Sequence, residues 1–186
     1  MKHFLLGLLV AIPGLVGGGY LFLRLGFLDP RANRRPSKFE TALAMRFLDA
    51  SVGRRSPQRR NPLPADRQNL TVGLKVYEAH CAVCHGDLSH PRSVVGLGLY
   101  PPAPQFFDNA PDMPESENFY IIRNGIRWTG MPSWNQVLSE EQIWKLTSFL
   151  AHIQHLPPAV AQEWKRPVPA KTRATAVKEQ GANRHE

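Results

Sequence analysis

Cys81-Ala82-Val83-Cys84-His85 gathers two thiols and an imidazole within five residues. Three positions apart on a helical turn, the thiols share one side of it. Each can then form a thioether to one of the two vinyl groups along a porphyrin edge. The imidazole that follows points at the iron from the proximal side, which is the chemistry of c-type haem attachment. The chain has only these two cysteines, so none remains for a disulfide framework or a four-cysteine zinc site. Two rivals share part of the pattern. A dithiol redox pair has the same spacing but does not require the histidine. A zinc site could use all three side chains, yet it needs a fourth ligand.

A second constellation favours haem. Gly130-Met131-Pro132-Ser133-Trp134 places a methionine 46 residues after His85, with room for a loop and a helix between them. A thioether is a soft, neutral donor, and His/Met ligation gives a six-coordinate iron with a raised reduction potential. A lone methionine is ordinarily core filler. Met131 instead stands between Gly and Pro, off any helical stripe, where the glycine permits close backbone approach and the proline stiffens the loop. Met113, also followed by proline, is the alternative ligand, and Met45 reads as packing.

Residues 71–156 resemble a class I monohaem cytochrome c, of the bacterial membrane-bound kind whose distal segment reads Ile-Arg-x-Gly-Ile-x-x-Thr-Gly-Met-Pro-x-Trp. Here that segment is Ile122-Arg123-Asn124-Gly125-Ile126-Arg127-Trp128-Thr129-Gly130-Met131-Pro132-Ser133-Trp134. The resemblance extends to a glycine eight positions and an aromatic four positions before the first cysteine, matched by Gly73 and Tyr77. It implies that Gly73 lets the N-terminal helix cross the C-terminal one closely, and that Tyr77 packs on that helix. It implies one covalent haem c, held by Cys81 and Cys84 with His85 and Met131 as iron ligands. It also implies a loop carbonyl that accepts the free N–H of the proximal histidine, for which Pro101 or Pro102 is the candidate. Trp134 and Trp128 are expected near the haem edge, and Arg92, Arg123 or Arg127 as partners for the propionates. His80 is expected to be exposed. His90, His152 and His155 lack the context of ligands.

The elements that must position these groups read as mostly α: three to four helices around one haem. Thr71 can cap a helix running into Cys81, with Val72, Val76 and Tyr77 inward, and Gly86 stops it. Residues 86–114 are rich in Gly and Pro and read as an irregular loop. A helix from Glu115 carries Phe119, Ile121 and Ile122 and ends at Asn124-Gly125. Ser139-Glu140-Glu141-Gln142 is a capping box, opening a helix that buries Ile143, Leu146, Phe149, Leu150 and Ile153. Pro157-Pro158 ends it. So small a domain buries little apolar surface by itself, so the haem-free chain is expected to be molten or unfolded.

Residues 4–23 are uncharged and as a helix would span roughly 30 Å, about one bilayer core. A cleaved secretory signal is the alternative, but apolar residues continue to Leu28, which favours an anchor over residues 1–28. Haem attachment places the following domain outside the cytoplasm, on the periplasmic side of the inner membrane. Five cations between residues 24 and 44 oppose the positive-inside tendency. That tendency is statistical, whereas the attachment machinery works only on the exported side.

The net charge of +8 belongs to the flanks: residues 1–70 carry +8, residues 71–156 carry −3 and residues 157–186 carry +3. A basic haem face is therefore not expected, and no recognition motif accompanies the basic runs, which excludes nucleic acid as a partner. In the 29–70 segment, Ser37-Lys38-Phe39-Glu40 opens a short helix with Ala42, Phe39, Leu43 and Phe47 on one stripe. A basic, Pro-bearing, extended linker follows. Two phenylalanines on one face favour a partner subunit over a free tether, with the membrane surface as a third option. The tail, residues 157–186, reads as extended or disordered, with Trp164 a stray aromatic.

The expected function is one-electron transfer between respiratory-type redox partners by an anchored haem c, within a membrane complex and without catalysis of its own. A haem enzyme or gas sensor with a labile Met131, and a mainly architectural subunit, are the alternatives.

Overall fold

The apolar run near the N-terminus is one helix, α1 (Lys2–Arg24), with Pro13 inside it and Arg24 in its last turn. In this computed structural model, residues 2–107 and 109–166 are described, and the chain divides into two units, Met1–Arg31 and Ala32–Glu186. α1 belongs to the first and is long and apolar enough to cross a membrane. Just past it the Arg31 guanidinium pairs with Asp29 at 2.8 Å.

The second unit holds seven helices among its described residues and no strand. α2 (Lys38–Arg55) opens on the expected capping box, with Glu40 N donating to Ser37 Oγ at 3.1 Å. It runs 18 residues, well beyond a short helix, and seats Val52 in the unit's interior. Ser56 then turns the chain, donating from N and Oγ to Val52 O at 2.8 and 2.7 Å. The segment that follows is held to the domain, in contrast to the expected extended linker. Asn61 Nδ2 donates to Glu115 Oε2 and Trp144 O, Leu63 joins the core, and the Arg59 guanidinium lies 5.9 Å from the Trp144 ring centroid. Composition shows prolines and arginines here; it does not show that one asparagine bridges two helices.

α3 (Arg67–His80) leads into the cysteine motif, and α4 (Ala82–His85) carries it. The cap is Asp66, which accepts from Asn69 N at 2.8 Å, so the helix starts earlier than a Thr71 cap would allow. Gly86 ends α4 at φ +84°, a conformation that favours glycine. The loop beyond it contains one short helix, α5 (Val94–Leu97), capped by Ser93. α6 (Glu115–Asn124) and α7 (Glu140–His152) match the sequence reading, including the Ser139–Gln142 capping box.

The core lies where α3, α6 and α7 meet. Leu70, Leu74, Tyr77, Phe119, Ile143, Leu146 and Phe149 are buried there. Gly73 sets the spacing of α3 on α7, because a Cβ at that position would stand 2.2 Å from Lys145 O. The close crossing expected from the family resemblance is therefore present.

The chain past Pro157 departs from the expected extended arm. α8 (Pro158–Trp164) starts with proline at its first position, where the missing N–H costs nothing. It buries Val160 and Trp164. The Trp164 ring meets Tyr77 and Phe149 edge-on at 5.6 and 5.7 Å, so it is a core residue. Residues 167–186, the rest of the expected tail, lie outside the described residues. Trp164→Ala should destabilise the holoprotein by about 3 kcal/mol, the low end for an aromatic deletion. Chemical denaturation would measure this, and an unchanged midpoint would contradict the packing.

Candidate functional site

The cysteine motif forms one tight turn, with Cys84 N and His85 N both donating to Cys81 O at 3.0 and 2.9 Å. Both thiols are free. Burial, and secondarily the Cys84 charge, push the Cys81 thiol up to about 12, and burial raises Cys84 as well. Among the described residues no group of three or more His, Cys, Asp and Glu side chains is placed to hold a metal ion.

The segment between α4 and α6 fixes the histidine. His85 Nδ1 lies 2.8 Å from Pro104 O, the geometry of an N–H donated to that carbonyl. The sequence reading pointed to Pro101 or Pro102. Both lie in the same segment but upstream, Pro101 after a cis peptide bond, and the chain comes level with the ring only at Pro104. Burial lowers the pKa of His85 while the Pro104 bond opposes it, which favours the neutral ring with Nε2 left as its lone-pair donor. Phe106 stacks on the imidazole at 4.5 Å and 5°, and Phe106 N donates to His85 O at 2.9 Å. Gln105 and Ser93 complete the clamp. Gln105 Nε2 donates to Cys84 O at 3.0 Å, and its Oε1 accepts from Ser93 N at 2.7 Å. Ser93 Oγ donates to Val83 O. Gly96 lies against this turn so closely that a Cβ would be 1.8 Å from Cys84 O. The sequence reading missed Ser93, Pro104, Gln105 and Phe106; a Ser93 cap before Val94 was the one local signal available.

Met131 is held from the other side of the sequence. At the end of α6, Gly125 has φ +69°, and a Cβ there would lie 2.7 Å from Pro132 C and 2.8 Å from Met131 O. Ile126 N donates to Met131 O at 3.1 Å, Met131 N to Thr129 Oγ1 at 3.1 Å and Trp134 N to Ile122 O at 3.2 Å. The methionine loop is thus stitched to the α6 terminus by backbone. Met131 and Trp134 both pack on the core cluster.

Two contacts bring the segments together. Trp134 lies 5.1 Å from the ring of His80, the residue before Cys81, and a Cβ on Gly130 would strike Leu99. His80 is therefore partly buried, contrary to the expected exposure, and burial lowers its pKa. Trp128, expected near the haem edge, is 86% exposed at φ +62° and faces the Arg127 guanidinium. Of the expected propionate partners, Arg123 pairs with Glu140 at 3.3 Å and Arg92 is exposed. His152 Nδ1 lies 2.8 Å from Ser148 O, within its own helix.

The donor set fits a covalently attached haem. Two cysteines share a helical turn, an imidazole has one nitrogen satisfied and one spare, and a methionine whose backbone is hydrogen-bonded lies on a loop that adjoins the turn. No match is found among curated proteins. Residues 68–150 match the family model described as cytochrome C oxidase, cbb3-type, subunit III. Those residues are a class I monohaem c-type cytochrome domain of the cbb3 type, with covalently bound haem c and its iron as cofactor.

Proposed function

We propose that the chain is a membrane-anchored electron carrier, a non-catalytic subunit of a respiratory-type complex. It accepts one electron from a reduced partner and passes it to an oxidised one. Cys81 and Cys84 would hold the haem, His85 and Met131 would ligate its iron, and Trp134 would pack beside Met131. α1 is the anchor, and attachment chemistry puts the haem domain at the periplasmic face of the inner membrane. When bound, the haem iron supplies a reversible one-electron couple.

The observation that carries this reading is the fixity of both axial donors. The Pro104 carbonyl and the Phe106 ring leave His85 one orientation. Met131 N donates to the Thr129 hydroxyl, Met131 O accepts from Ile126 N just past α6, and Trp134 N ties the end of the loop to Ile122 of α6. Groups that stay put when charge changes keep reorganisation small, which suits electron transfer. A site built to bind a small molecule would need one of these donors to leave.

Met131→Ala tests the proposal. The variant should lose on the order of 100 mV of reduction potential or more, inside the ~0.8 V range that axial ligation controls. It should also bind carbon monoxide when reduced and slow electron flux through the membrane. Prompt carbon monoxide binding by the unmodified reduced protein would favour a gas-binding or enzymatic role. Unchanged flux in the variant would favour an architectural one.

A further inference from the structure

α2 is apolar on two opposite sides. At about 100° per residue, Leu48 and Val52 fall on one side, and Val52 is buried where α2 meets the domain at Gly53 and Glu117 of α6. Its first turn is tied at the other end, where Tyr100 OH donates to Glu40 Oε1 at 2.6 Å. On the far side Phe39, Leu43 and Phe47 form an unbroken stripe, 78%, 58% and 69% exposed. Soluble surfaces seldom carry two phenylalanines and a leucine in line without a use. Arg46 and Arg54 fall on the same arc, where their apolar stems can lie along the stripe while the charges reach outward.

We propose that α2 is an adapter, docked on the haem domain by one side and lying in the headgroup layer of an anionic bilayer by its Phe39–Leu43–Phe47 side. The proposal rests on the reading of α1 as an anchor. Three observations choose lipid over a protein groove. Thirteen residues separate Arg24 from Lys38, so the start of α2 can lie no farther than about 50 Å along the chain from the end of the span. Beyond the Asp29-paired Arg31, the stretch between and just after them carries Arg35, Lys38 and Arg46, a match for anionic headgroups. Finally, the docked side is already used, so α2 offers a flat apolar strip rather than a helix that a groove could enclose. The basic stretch on the exported side, which runs against the positive-inside tendency, then has a role. The haem domain is laid on the membrane at a fixed height, and its redox partner must present its own cofactor near that surface.

The test uses the full-length holoprotein, purified with any subunits it retains and placed in nanodiscs containing anionic phosphatidylglycerol. Spin labels are attached at Leu43→Cys and, as a solvent-facing control, at Asp49→Cys. Unmodified protein, whose own cysteines are occupied by haem, serves as the labelling blank. An unchanged haem spectrum shows that each variant has folded. The Leu43 label should be relaxed strongly by oxygen and shielded several-fold from a water-soluble nickel complex relative to the Asp49 label. Nanodiscs of neutral lipid should weaken that shielding. Equal nickel access at both positions overturns the proposal in favour of solvent. A Leu43 label immobilised and shielded from both oxygen and nickel overturns it in favour of a partner protein. Loss of the chain from membranes in an alkaline carbonate wash would refute the anchor instead, and so separates the two failures.

Discussion

Gly73→Val should cost the holoprotein at least about 3 kcal/mol, the upper range for overpacking, because no side-chain shift can relieve the clash. A Cβ at this position meets the Lys145 carbonyl carbon and oxygen at 2.8 and 2.2 Å and Phe149 Cβ at 2.8 Å. Two of these atoms are backbone of α7, so the helices must separate. Separation opens the layer where Tyr77 and Phe149 pack at 5.6 Å and withdraws Tyr77 OH from Gly86 O, which it holds at 2.7 Å. Gly86 is the residue after His85, so the damage reaches the haem-binding turn directly. A denaturation midpoint close to that of the unmodified holoprotein would show that α3 and α7 do not cross as described.

The double variant Cys81→Ala, Cys84→Ala should have no covalent haem at all. Haem staining after denaturing electrophoresis would read this as complete loss. The same protein should lose its cooperative melt and near-ultraviolet circular dichroism, because a domain of this size has little apolar interior to spare. Part of its core is committed to the cofactor's surroundings. Phe106, Met131 and Trp134 only partly bury themselves against the rest. A haem-free chain that melts as sharply as the holoprotein would mean that the helices alone suffice.

How far the chain could be read without coordinates depended on whether a feature is local. The Ser37 and Ser139 capping boxes, the Gly86 stop and the Gly125 turn each involve neighbours within a few residues, and all are present. The tight turn at Cys81–His85 and the hydrogen-bonded loop at Gly130–Pro132 are short-range geometry of the same kind. Gly73 was legible only through family resemblance; nothing in its immediate neighbours says that α7 passes overhead. Apart from the α3 cap, where Asp66 stands in for the expected Thr71, the failures are long-range. Pro104 rather than Pro101 or Pro102 meets His85 because of the path of a loop through three prolines, and no periodicity encodes which carbonyl turns inward. Phe106 carried no motif, though it stacks on the imidazole. α8 spans seven residues, too few for a helical period to register, and Trp164 reads as surface until Tyr77 and Phe149 are placed around it. Asn61 bridges α6 and α7 from within a stretch whose composition reads as linker.

Two of these misses share a direction. The Asn61 and Trp164 misses concerned segments judged loose from composition, and each segment is held to the haem domain by one or two specific side chains. The basic segment after α2 and the start of the tail are parts of the folded unit.

The account stands on a single haem joined to the turn at Cys81 and Cys84. Intact-mass spectrometry of the denatured chain, purified from its own membrane, tests this most directly. The predicted mass is that of the polypeptide plus one haem, with neither cysteine open to alkylation. The bare polypeptide mass, with both thiols alkylated, would contradict it.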